Sequence, residues 1–186
     1  GKTDNVSFGR YGKNFQEILV QLIFDDRPFA DQIMEVLDVN FLELEYLRVF
    51  VNKIVEYRTK YNIHPSSQAL TSIFNTDLEN ESEVIQRQVR EYFHKIQIKE
   101  PTDIEYVKEQ SLDFCRKQNL KKAMMKSVAL LQNCSFDEIS KTINDALVLG
   151  SDNNFGYDYL ADFEERFKPK HRNPVTTGWD EMDDIT

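Results

Sequence analysis

From Thr102 to about Asn133 the chain carries neither glycine nor proline, and apolar residues recur at Ile104, Val107, Leu112, Cys115, Leu120, Met124, Val128 and Leu131. The two strongest helix breakers are missing and the apolar spacing is helical, so the stretch predicts one helix of about thirty residues, rising ~45 Å. Ser135 and Glu138 then stand at capping-box spacing, predicting a partner helix through Ile139, Ile143, Leu147 and Leu149 that Gly150 ends. A long helix folded back on a shorter one is an αα-hairpin. Such a hairpin, projecting from a globular body, is expected to find its packing partner in another chain.

The residues before the hairpin read as a compact helical bundle. Phe15, Ile18, Leu19, Leu22 and Ile23 make one stripe, which Asp25-Asp26-Arg27-Pro28 stops. Pro28 opens a second helix carrying Phe29, Ile33, Met34 and Leu37. Asn40 is the expected cap of a third through Leu44, Leu47, Val51, Ile54 and Val55. Asn62-Ile63-His64-Pro65-Ser66-Ser67 is a turn and cap before a short helix around Leu70 and Phe74. A further helix holds Val84, Ile85, Val89, Tyr92 and Phe93. With only 6 glycines and 5 prolines in 186 residues, the composition disfavours a turn-rich β fold. The expected organisation is a flexible arm over 1–12, a globular helical domain over 13–101, the hairpin over 102–150, a linker over 151–173 and the start of a further domain over 174–186.

Charge and cysteine usage narrow the function classes. The net charge of −9 repels a phosphate backbone on average, leaving room only for one hidden basic patch. Cys115 and Cys134 have no metal-ligand spacing and read as reduced thiols in a cytosolic setting. No apolar run approaches the ~20 residues of a membrane span, so no membrane partner is expected. Gly9-Arg10-Tyr11-Gly12-Lys13-Asn14 lacks the spacing, the Ser or Thr, and the preceding strand of a phosphate-binding loop. The carboxylate pairs Asp25-Asp26, Glu164-Glu165 and Asp183-Asp184 are sequence neighbours, which diverge by about 100° on a helix. His64, His94 and His171 have no nucleophile or metal partner at useful spacing. No catalytic residue, metal site or cofactor site is expected within these residues.

The last quarter reads as linker. Ser151-Asp152-Asn153-Asn154 leads to the short amphipathic stretch YDYLADFEERF, with Leu160, Phe163 and Phe167 on one stripe. Too short to be stable alone, it is expected to dock into a protein groove. A basic extended run, Lys168 to Pro174, delivers PVTTGWDEMDDIT, in which Trp179, Met182 and Ile185 begin an apolar face just as the chain reaches Thr186.

These features together resemble the DnaB-type hexameric replicative helicases. Thr177-Gly178-Trp179, Met182-Asp183 and Ile185-Thr186 match the family's Thr-Gly-Phe, Leu-Asp and Ile/Leu-Thr lead-in to its RecA-like ATPase domain. LVQLIFDDRPF (residues 19–29) and the Asp158–Phe167 run are similar to the helicases of T-even-like phages. The resemblance covers most of the chain from about residue 15, and between these stretches it rests on helix pattern alone. It implies an all-α collar domain that dimerises through its hairpin, builds a trimer of dimers into a hexamer, and contacts primase and, in some systems, the helicase loader. Carried onto this sequence, the dimer interface falls on Leu112, Leu120, Met124, Val128, Leu131, Ile139, Ile143 and Leu147. The linker-helix docking face, packing on the ATPase domain of the adjacent subunit, falls on Leu160, Phe163 and Phe167. The family's phosphate-binding loop, metal-binding carboxylate and arginine finger are expected beyond residue 186, so ATP, Mg2+ and single-stranded DNA belong to the full-length helicase in a bacterial host's cytoplasm. The competing readings are an all-α protein–protein adaptor unrelated to replication and a small helical enzyme with an unrecognised site.

Overall fold

A computed structural model gives the fold and describes residues 6–132 and 135–151. Among them every regular element is helical: α1 (Gly12–Asp25), α2 (Arg27–Ile33), α3 (Glu45–Tyr61), α4 (Ser67–Thr76), α5 (Glu83–Ile98), α6 (Ile104–Leu131) and α7 (Phe136–Ser151), with 3-10 turns at Phe8–Tyr11 and Val39–Phe41. The all-α class expected from the sequence is what the structure shows.

The caps explain most of the boundaries. The Asp26 side chain accepts from the Phe29 amide at 3.1 Å to start α2, with Pro28 in its first turn. Ser66 accepts from Ala69 at 3.1 Å to start α4, and Ser82 from Ile85 at 3.3 Å to start α5. Asn62 closes α3 in the left-handed conformation, φ 57°, which asparagine tolerates better than most residues. The sequence places a cap at Asn40, but that residue sits inside the Val39–Phe41 turn, its amide held by the Asp38 carboxylate at 2.9 Å. The helix begins at Glu45, because the extra turn uses up the residues that would have formed its first turn. Gly150 does not stop α7, which continues to Ser151; a single glycine raises the cost of helix without forbidding it.

The chain divides into two units, Gly1–Lys126 and Ser127–Thr186. In the first, α1 packs against α2 and α3, and α3 against α4 and α5. Leu19, Ile23, Leu47, Phe50, Ile54, Leu70 and Phe74 are its fully or almost fully buried centre. Phe50 has Phe74, Tyr92 and Phe93 around it with ring centroids 5.1, 5.2 and 5.9 Å away. A second aromatic group joins Phe8, Tyr11, Phe15, Phe41 and Phe114, the Phe8 and Phe114 rings standing 4.6 Å apart.

That second group corrects two boundaries. Residues 8–11, expected to be part of an arm, form a turn whose Phe8 is completely buried. Gln16 holds this turn, donating to the Phe8 and Gly12 carbonyls at 3.4 and 3.3 Å while accepting from the Glu43 amide at 2.8 Å. Gly12, at φ 89°, makes the bend into α1 in a region that favours glycine. The hairpin boundary at residue 102 moves as well. Val107, Leu112, Phe114, Cys115 and Ala123 of α6 are buried in the first unit, Lys108 pairs with Asp26 at 2.6 Å, and Asn119 donates to the Val36 carbonyl at 2.9 Å. Most of α6 is core helix.

In the second unit the end of α6 turns into α7. The Ser135 amide bonds the Leu130 carbonyl at 3.4 Å, and the Ser135 carbonyl accepts from Ile139 at 3.1 Å.

Candidate assembly surface

Over its last turns α6 presents four i,i+4 rows, the arrangement a helix imposes on residues four apart. One row, Asn119, Ala123 and Ser127, is turned inward, with Ala123 and Ser127 buried. The next row, about 100° round the helix, holds Leu120, Met124 and Val128, and Leu131 continues it. Leu120 is half-buried, whereas Met124, Val128 and Leu131 expose 52, 62 and 51 % of their surface. Leucine, methionine and valine in register and open to water form a stripe of the kind that another helix covers.

The eight residues expected at a dimer interface therefore separate into groups. Leu112, at 5 % exposure, is used by the chain's own core and has little area left for a partner. Leu120 sits at the margin, and Met124, Val128 and Leu131 are open. Ile139, Ile143 and Leu147 share one stripe of α7 and are all half-buried. Phe136, at the start of that helix, is exposed. The expected docking residues Leu160, Phe163 and Phe167 lie outside the described residues, as do Cys134 and His171.

Two polar networks in the first unit were not foreseen. Glu17 accepts from the Tyr46 hydroxyl at 2.6 Å and from Lys95 at 2.8 Å, while Tyr92 donates to its backbone carbonyl. Burial favours the protonated acid, but the hydrogen bonds from Lys95 and Tyr46 and the charges of Lys95 and Lys13 outweigh it, leaving the carboxyl below its ordinary value. Burial and the adjacent Glu17 push the Tyr46 phenol well above its usual range. A carboxylate so held, beside a tyrosine that keeps its proton, braces α1, α3 and α5 and is poorly suited to abstract protons.

The second network lines an open cleft of about 350 Å³ bounded by Arg27, Asp31, Met34, Arg58, Ile63 and His64. Arg58 reaches Asp31 at 2.5 Å and His64 Nδ1 at 2.9 Å, and His64 Nε2 lies 2.7 Å from the Phe24 carbonyl. Arginine only donates, so Nδ1 accepts and Nε2 carries the proton given to Phe24, which makes the imidazole neutral. Burial lowers the His64 pKa, the Phe24 carbonyl opposes this, and the Arg58 charge lowers it further. The only sequence signal for this network is the Asn62–Pro65 turn, which brings the histidine back to α1 without identifying its partners.

Among the described residues no cluster of histidine, cysteine, aspartate and glutamate is placed to hold a metal, and no helix is long and apolar enough to cross a membrane. No protein-family model matches the chain, and no curated protein or solved structure is significantly similar to it.

Proposed function

We propose that this chain is the N-terminal assembly and protein-interaction domain of a DnaB-like hexameric replicative helicase, of the kind found in T-even-like phages. The observation that carries the assembly role is the open stripe of Met124, Val128 and Leu131 on α6, an apolar surface suited to a second copy. The lead-in motif Thr177-Gly178-Trp179 with Met182-Asp183 supports the family. The acidic balance of −9 suits a collar that binds proteins, including primase and a loader, while another domain holds single-stranded DNA.

On this reading residues 1–186 assemble and couple; ATP and Mg2+ bind in the RecA-like part of the full-length helicase. The linker stripe Leu160, Phe163 and Phe167 docks on the neighbouring subunit. Phe163→Asp in the full-length protein should weaken hexamer formation, since burying a phenylalanine contributes roughly 1.5–3 kcal/mol per docked helix. The decisive assay is DNA-stimulated ATP hydrolysis: the full-length protein should show it and residues 1–186 alone should not. A full-length protein without DNA-stimulated hydrolysis would overturn the helicase reading and leave an adaptor.

A further inference from the structure

Between Asp113 and Asp137 the sequence contains no acidic residue and five basic ones, Arg116, Lys117, Lys121, Lys122 and Lys126, in a chain of net charge −9. Arg116 is buried, but all four lysines are exposed on α6. They occupy the other two i,i+4 rows, of which the one through Lys117, Lys121 and Met125 stands roughly opposite the buried row. Lys117 and Lys121 lead to Met125, which is 64 % exposed, and Gln118 leads to Lys122 and Lys126. Lys117 pairs with Asp113 at 2.7 Å and Lys122 with Asp38 at 3.4 Å. Lys121 and Lys126 form no ion pair among the described residues.

Like charges four apart on a helix destabilise it. Lys117/Lys121 and Lys122/Lys126 are two such pairs, offset only in part, by Asp113 at Lys117 and Asp38 at Lys122. An anionic surface laid across both rows relieves that repulsion. The exposed Met125 favours a protein over nucleic acid as the occupant, because a phosphate backbone has no use for an exposed thioether, whereas an amphipathic helix buries it beside its own apolar stripe.

We propose that the Lys117–Lys126 face of α6, centred on Met125, is the docking site for an acidic amphipathic helix of a partner protein. It lies beside the self-association stripe of Met124, Val128 and Leu131 and is distinct from it, and the proposal holds whether or not the chain dimerises.

The test uses a fluorescent amphipathic peptide of about 20 residues with leucine on one face and glutamate elsewhere, its glutamine counterpart, and a single-stranded DNA oligonucleotide. Anisotropy is read at low salt and at about 0.3 M, where exposed charges are strongly screened. The acidic peptide should bind, weaken with salt, and lose at least about tenfold in affinity to the triple variant Lys121→Glu, Lys122→Glu, Lys126→Glu. Met125→Gln should also weaken binding, and circular dichroism should show both variants folded. The glutamine peptide should bind more weakly than the acidic one. Equal or tighter binding of the DNA, lost in the same triple variant, would overturn the proposal in favour of a nucleic-acid face. No binding by the acidic peptide, or binding indifferent to the charge reversals, would overturn it outright. Sedimentation of the same proteins keeps the two surfaces apart: the triple variant should retain the wild-type oligomeric state, and loss of assembly in it would contradict a separate docking face.

Discussion

Glu17 shows how much one side chain decides in this fold. Its carboxylate joins Tyr46 of α3 to Lys95 of α5, and its backbone carbonyl takes the Tyr92 hydroxyl. Glu17→Gln retains the shape but loses the charge, and is expected to cost about 1–3 kcal/mol in a denaturant titration. Because the folded-state pKa lies below its ordinary value, this contribution is present above the unfolded-state pKa and is lost as pH falls through the folded-state one. Stability of the glutamine variant should therefore fall less on that acid limb. His64 acts in a different window. Its folded-state pKa is also lowered, but for a base this means that protonation opposes folding. Stability from this site is complete above the ordinary histidine value and declines as pH drops through it, levelling below the folded-state pKa. His64→Gln should flatten that decline in melting curves taken across the window. Neither network was legible in the sequence: the partners of Glu17 lie 29 and 78 positions away, and helical periodicity gives a residue's face without its neighbour across the core.

The elements were legible in proportion to their regularity. The long interruption-free run announced α6, and the serine caps announced α4. What remained hidden was where α6 is used. Periodicity alone does not say which part of a long helix its own chain covers, and α6 buries Val107, Leu112 and Phe114 while Met124 and Val128 are exposed. The Phe8–Tyr11 turn was hidden for another reason. A lone phenylalanine among glycines and polar residues has no period to reveal it, yet Phe8 is completely buried against Phe114. Phe8→Ala is expected to destabilise the protein by about 3–5 kcal/mol, as for other buried aromatics. A flexible arm predicts a change within about 0.5 kcal/mol, so one chemical denaturation curve separates the two.

For the whole molecule, the proposed assembly is self-association through the exposed stripe of α6. The dimer interface expected from sequence included Leu112 because it shares the helix, but its burial in the core removes it, while Met124, Val128 and Leu131 remain open. The most direct measurement is sedimentation of residues 1–186 at micromolar concentration, wild type beside Val128→Asp. A reversible wild-type dimer is expected, and a folded monomer for Val128→Asp. A wild-type chain that stays monomeric at every concentration, or a dimer unchanged by Val128→Asp, would contradict it.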